Sequence, residues 1–470
     1  MTSYTGPTMR GVDYSPTWPG WLQGNPNSQT FDSDFANDAL QSLWSDKFKG
    51  ATGGDKSVPH DNSPNYRNDL GHISSHRFKL VRLYNWNMAR GASSTAGPAP
   101  GHLNFLTYAE NLGLKVVVPV SDYFLNDDQY SWNNITPDDS YSFASAPQSI
   151  QTDFNLFISS ITDPRTGKIH AAVHSIAVGN EGEIGEGGLA GKTTASNFLA
   201  RTIWWIYNLH LQINGTGANG PNGLPVVNGP SPVILLTATI SNADQGQPST
   251  GSYWFKCFSD GAQKGQQTPL GTNDGNLGSS FDRTVPGLKQ VDSSYANYYY
   301  NSVNIGQSTT QPPFGNSLAE TLKLYDTWPG SGWPGAQFTD PLLLMEVFTP
   351  DRTIYPEPRN QAEAAVNQVK AMEEYLRTNS GGGPKSTTQF MGYNYFQFND
   401  EPHVPKYTGL YQYPQPAGPT AQTGTTVIPY GPWSFPNMTF PVCSLTAAMG
   451  PSGPNGPSLI DAIKAYFPPG

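Results

Sequence analysis

Charge is scarce in this chain. Asp, Glu, Lys and Arg make up 13% of its 470 residues, about half the share of an ordinary soluble domain. Disorder driven by charge repulsion is therefore not expected, nor a surface kept in solution mainly by lysine and glutamate. What charge there is runs negative. Twenty-six Lys and Arg against 36 Asp and Glu leave a net charge of −10, so the cationic surplus that nucleic-acid phosphates require is missing. Cysteine is nearly absent too. Cys257 and Cys443 could close one disulfide, a pairing the sequence leaves open. With eight His in no zinc-like spacing, they offer no structural metal site, and nothing in the chain asks for a cofactor. No apolar run approaches the roughly 18–20 residues needed to cross a bilayer. The opening MTSYTGPTMRGVDYSP lacks the basic and apolar segments of a signal peptide. Low lysine with abundant Gly, Asn, Ser and aromatic residues leads us to expect a secreted or periplasmic protein in its mature form, working as a monomer, with the cytosol as the alternative.

Aromatic rings and loop formers are plentiful. Aromatics reach 12%, with 11 Trp and 24 Tyr, alongside 49 Gly and 42 Pro. Rings can fill a core that is otherwise only 36% hydrophobic, and they can stack on the apolar C–H faces of sugars. A neutral, polar partner suits this balance better than a charged one.

Short β-rich runs and helical patterns alternate along the chain. The strands expected are 9–14, 78–84, 114–120, 173–179, 233–240, 291–299, 341–347 and 389–398. Several are apolar on consecutive residues, as strands buried on both faces require. Helical patterns fall at 34–48, 101–113, 148–160, 195–212, 316–327 and 360–378, while 14–77 and 241–290 are long and rich in turn formers. The economical reading is a single α/β domain over 1–470, a (β/α)8 TIM barrel with long loops. Its Pro- and aromatic-rich segment 403–455 would form an ordered coat, closed by a helix over 456–467.

Barrel enzymes carry their chemistry at the C-terminal ends of the strands. The fourth run ends in Asn180-Glu181, and the seventh, PLLLMEVFTP, carries Glu346 straight after four apolar residues. An acid so placed is costly to bury unless it is paired or functional. Two such acids on strands four and seven fit glycoside hydrolysis, which needs one carboxyl to protonate the leaving oxygen and another beneath the anomeric carbon. A separation of roughly 5–5.5 Å would let the second attack directly and retain configuration. Glu181 would then hold a proton while Glu346 stays ionised beside Arg82, at the end of the second run.

The motifs resemble those of the retaining (β/α)8 glycosidases. Within that clan the chain is most similar to the β-1,3-glucanases of glycoside hydrolase family seventeen and the β-1,3-glucanosyltransferases of family seventy-two. GVDYSP at 11–16, VRLYNW at 81–86, IAVGNE at 176–181, VDSSYANYY at 291–299 and YFQFNDEP at 395–402 carry the resemblance. It implies Glu181 as acid/base and Glu346 as nucleophile, Asn180 on the sugar 2-hydroxyl, and Tyr299 donating to Glu346. It places Arg82, Tyr84, Asp13 and Glu401 around the substrate. Tyr123, Trp86 and Trp132, on the loops after the second and third runs, could stack on sugar or pack in the core. The sequence departs from both families after Glu346, where Val347-Phe348-Thr349-Pro350 stands, and after Glu401, where Pro402-His403 stands. Linkage specificity is open accordingly. The expected activity is an endo-β-1,3-glucanase, with a transglycosylase on the same residues as one alternative and a non-catalytic carbohydrate-binding barrel as another.

Overall fold

A computed structural model describes residues 8–14, 69–84, 86, 100–120, 122–125, 132–180, 193–228, 235–241, 250–268, 280–304, 341–347, 355–379, 390–398, 409–412 and 446–468. Eight parallel strands close into a barrel in sequence order. They are β1 (Met9–Asp13), β2 (Leu80–Arg82), β3 (Lys115–Val120), β4 (Val173–Asn180), β5 (Leu235–Ser241), β6 (Tyr299–Asn304), β7 (Leu342–Val347) and β8 (Phe390–Tyr395). β8 pairs back onto β1, Met9 opposite Gly392 and Val12 opposite Tyr395. This is the (β/α)8 architecture expected from the sequence.

Seven of the eight strands fall where the sequence places them; the sixth does not. Residues 291–299 were expected to be strand, but the strand begins only at Tyr299. The reason is local. Asp292 accepts hydrogen bonds from the Ser294 backbone N–H at 2.8 Å and its hydroxyl at 2.6 Å, a turn that competes with the extended ladder. The chain then makes one helical turn at Tyr295–Asn297 before extending.

Helices α1 (Asp69–Ser75), α2 (Pro100–Asn111), α3 (Gln148–Ile161), α4 (Ala195–Asn214), α5 (Thr250–Asp260), α6 (Leu288–Val291), α7 (Pro358–Asn379) and α8 (Leu459–Lys464) are described. The expected helices at 34–48 and 316–327, and most of the coat at 403–455, lie outside the described residues. Cys257 is buried on α5 with a free thiol, and Cys443 is outside the described residues. No described helix is long and apolar enough to cross a membrane.

Two apolar layers follow from the period-two alternation of strand side chains. Met9, Leu80, Val117, Ala177, Tyr300, Leu343, Met345 and Met391 fill the barrel, while Val81, Val118, Ile176, Val178, Leu342 and Leu344 face the helices. Gly11 has no side chain because Asn394 and Leu80 occupy the space its Cβ would need. α4 is buried nearly all round. Its Trp204 and Trp205 pack against Phe124, Phe143, Phe154 and Phe157. Its Arg201, fully buried, donates to the carbonyls of Leu125 and Ile135 and to the Thr193 hydroxyl, tying the loop after β3 to the helix layer.

Near the start of β1, Arg10 grips Glu373 of α7 with two hydrogen bonds of 2.7 and 2.6 Å, and Tyr393 of β8 donates to the same carboxylate at 2.8 Å. Glu373→Ala leaves both donors without their acceptor. Because Arg10 keeps some exposure, we expect a loss of about 2–4 kcal/mol, somewhat below that of a wholly buried pair. Urea denaturation measures it, and a loss under about 0.5 kcal/mol, the scatter typical of surface substitutions, would show that the pair holds nothing.

Candidate active site

Strict alternation would turn the two key side chains outward. Ile176 and Val178 of β4, and Leu342 and Leu344 of β7, all face the helices, so Asn180 and Glu346 should follow them. Each strand breaks register at that point. On β4 the pairing with β5 shifts between Val178 and Asn180. On β7 the pairing with β6 shifts between Leu344 and Glu346, opposite Val303 and Asn304. An extra residue in a strand re-aims those after it, so Met345 and Glu346 both come to the inner side. Gly179 makes the β4 shift possible with φ +75°, a left-handed conformation that side-chain-bearing residues rarely hold.

Arg82 occupies the centre. It lies two residues beyond the interior Leu80 and therefore points into the barrel one layer nearer the mouth. Its Nη1 donates to Glu346 Oε1 at 2.6 Å and lies 3.5 Å from Asp13 Oδ1, while Nη2 donates to Asn180 Oδ1 at 2.5 Å. The guanidinium also sits 3.9 Å from the centre of the Tyr84 ring, and the Tyr84 hydroxyl donates to Glu346 Oε1 at 2.9 Å. Burial alone would lower the Arg82 pKa, but Tyr84, Asp13 and Glu346 outweigh it and hold it above its ordinary value. The cation is permanent. Both donors to Glu346 share Oε1, and among the described residues none reaches Oε2. A carboxylate gripped by a cation and a hydroxyl through one oxygen is suited to nucleophilic attack through the other or to charge stabilisation.

Asn180 is oriented just as firmly. Arg82 has only donors to offer, so the amide oxygen must face it, and Asn304 Nδ2 adds a second bond to that oxygen at 3.0 Å. The Asn180 NH2 group is thus kept apart from Arg82, available as a donor to a bound hydroxyl. Asp122, in the one-turn helix Asp122–Phe124 after β3, accepts the Asn180 backbone N–H at 2.9 Å.

The other expected site residues separate into three groups. Tyr84 and Asp13 belong to the mouth, though Asp13 is fully buried and serves Arg82 instead of facing a substrate. Tyr299 does not donate to Glu346. It opens β6 at the far end from Asn304, the residue paired with Glu346, and Tyr84 takes the role expected of it. Trp86 and Trp132 are core residues, corrections to any stacking role. The Trp86 Nε1–H donates to Ser160 at 2.8 Å and the Trp132 Nε1–H to the Phe124 carbonyl at 2.9 Å, and both rings are enclosed. Glu181, its distance to Glu346, Glu401 and the Tyr123 side chain lie outside the described residues. Asn304 and Asp122 were missed. Asn304 lies five residues past the end of the misread sixth run, and a lone Asp after a strand carries no signal in a single sequence. No cluster of potential metal ligands occurs among the described residues.

No family model matches the sequence, and no curated protein matches it. Solved structures do. A β-glucosidase from Exiguobacterium marinum is 11% identical over 87% of this chain and 94% of its own, with a TM-score of 0.45. A double mutant of the β-glucosidase from Trichoderma harzianum is 10% identical over 86% and 93%, also at 0.45. A glycoside hydrolase family 5 enzyme from Prevotella bryantii is 11% identical over 83% and 89%, at 0.40. At this level the likeness is one of chain course and not of side-chain chemistry.

Asp122 gives the site a pH dependence. The residue keeps some surface but its carboxyl is enclosed, and burial raises its pKa to about 7 against the opposing pull of the Asn180 N–H and Arg82. An unfolded Asp releases its proton near pH ~4. Between about pH 4 and 7 the folded chain therefore binds more protons than the unfolded one, and this group's contribution to stability falls as pH rises. Asp122→Asn has no proton to lose. Its stability relative to the parent should climb from about pH 4 to 7 and level off above, as read by urea denaturation across a pH series. A difference independent of pH would mean that the Asp122 carboxyl ionises normally.

Proposed function

We propose that the chain is a retaining glycoside hydrolase acting on β-glucan, most specifically an endo-β-1,3-glucanase, with Glu346 as nucleophile and Glu181 as acid/base. The observation that carries the reading is the convergence of Arg82 and Tyr84 on one oxygen of Glu346 beside an oriented Asn180, one residue ahead of Glu181 in the chain.

The chemistry proceeds in two displacements. Glu181 protonates the glycosidic oxygen as the bond to the anomeric carbon breaks, and Glu346 Oε2 forms a bond to that carbon from the opposite face. Oε1 stays with Arg82 and Tyr84, which spread the carboxylate charge before attack and receive it again on release. Glu181, now ionised, takes a proton from water, the water oxygen attacks the anomeric carbon, and Glu346 departs with configuration retained. Asn180 is the donor for the sugar 2-hydroxyl, whose hydrogen bonds strengthen in the transition state. The β-1,3 linkage rests on the motif resemblance, and a neutral polymer fits a weakly charged, aromatic chain.

Glu346→Ala should lower turnover at least a thousandfold, and added azide should restore part of it with a glycosyl azide of inverted configuration, identified by NMR. Full activity in the variant would remove Glu346 from the chemistry. On a panel of oligosaccharides, laminari-oligosaccharides of about four or more units should be cleaved and cello-oligosaccharides left intact. Cleavage of cello- or manno-oligosaccharides with laminari-oligosaccharides untouched would overturn the linkage while keeping the carboxylate.

A further inference from the structure

The loop after β3 reaches across to β4 at one point. Asp122 Oδ1 accepts the Asn180 N–H at 2.9 Å, immediately before the residue read above as acid/base. This acceptor lies past the last pair of the β3–β4 ladder, Val120 opposite Val178, and next to the shift in the β4–β5 ladder. A strand amide beyond the end of its neighbouring ladder needs an acceptor from elsewhere, and Asp122 supplies it. The fit is close. A Cβ on Gly179 would come to 3.0 Å from both Asp122 Oδ1 and Leu125 Cδ1, so the loop packs directly on the bulge.

The loop itself is braced from behind. Arg201 of α4 donates to the Leu125 carbonyl at 3.0 Å, Trp132 donates to the Phe124 carbonyl at 2.9 Å, and the Leu125 N–H returns to the Asp122 carbonyl at 2.9 Å. Arg201, Phe124, Leu125 and Trp132 are all buried. A continuous strut thus runs from the helix layer through Phe124 and Leu125 to the Asp122 carboxyl and ends on the backbone of Asn180. The strut does not contact Glu346 directly: Arg82 and Tyr84 hold that carboxylate from β2 and its following loop, and the two are joined only through the Asn180 side chain on Arg82.

We propose that Asp122 is a positioning residue for the acid/base. By accepting the Asn180 N–H it fixes the turned end of β4 and hence the place from which Glu181 starts. This rests on the glycosidase reading above. Because a misplacement of about 1 Å can cost on the order of a hundredfold in rate, loosening this anchor weakens proton donation more than nucleophilic attack.

The test compares Asp122→Ala, Asp122→Asn, Gly179→Ala and Glu181→Ala on two glucosides: a dinitrophenyl glycoside, whose leaving group needs no proton, and a laminari-oligosaccharide, whose leaving group does. Asp122→Ala and Gly179→Ala should each lose at least tenfold in kcat/KM, which reports the first displacement, on the oligosaccharide and less than threefold in kcat/KM on the dinitrophenyl glycoside. Asp122→Asn keeps an oxygen to accept the N–H and should stay within about threefold of the parent on both. Losses equal on the two substrates, or an Asp122→Asn variant as impaired as Asp122→Ala, would overturn the proposal. Should Asp122→Ala fail to fold, the Gly179→Ala and Asp122→Asn arms decide it. If Glu181→Ala itself shows no leaving-group dependence, the acid/base assignment fails and this inference with it. If Glu181→Ala shows the dependence and the Asp122 and Gly179 variants do not, only the inference fails.

Discussion

Everything at the barrel mouth is arranged around one buried cation. Arg82 is almost wholly enclosed, and a guanidinium in that position is tolerable because Asp13 and Glu346 neutralise it and Asn180 accepts from its Nη2. The dependence is mutual. Without Arg82, Asp13 would be a fully buried carboxylate without that counter-charge and Glu346 would lose its closest donor. Asn180 would lose the contact that fixes which way its amide faces. The cation is contributed by a strand of three residues, so its position is set by the barrel closure itself and not by a loop. That places the site's buried cation on a strand paired on both sides and not on a loop.

Two breaks in strand regularity deliver the acidic and amide groups to that cation. Barrel strands alternate between interior and helix layer, and in this chain the alternation would hide both Asn180 and Glu346 among apolar residues. The shifts at Gly179 and at Met345–Glu346 turn them inward. At the end of β4 the Asn180 N–H is satisfied from outside the ladder, which is why Asp122 and the residues behind it matter. The site is therefore made by irregularities held in a regular frame: packing of Trp204, Trp205 and Arg201 supports the loop after β3, whose Asp122 holds the turned end of β4.

The architecture was legible in the sequence because eight apolar runs separated by helical patterns leave few alternatives, and hydrophobic periodicity reports burial directly. Arg82, Asn180 and Glu346 could be picked out for a related reason: each is a polar residue at or near the end of a largely apolar run. The sixth strand was misplaced because Tyr-rich 291–299 has strand-like composition while Asp292 and Ser294 form a turn by side-chain bonds that composition does not show. That error assigned to Tyr299 a contact that Tyr84 makes and concealed Asn304. Trp86 and Trp132 could not be assigned at all, since a Trp in a loop looks the same whether its ring is open or enclosed. The bulges, and Asp122 with them, depend on three-dimensional register and had no signature in the linear chain.

The central claim is that Glu346 forms the covalent bond to sugar. A 2-deoxy-2-fluoroglucoside with an activated leaving group slows both displacements, but the good leaving group lets the first proceed, so the intermediate accumulates. After incubation, the account predicts a mass increase of one fluoroglucosyl unit per chain, with fragmentation of the labelled peptide placing it on Glu346. A label on another carboxylate would contradict the account. So would no label from an inactivator that the parent enzyme demonstrably processes.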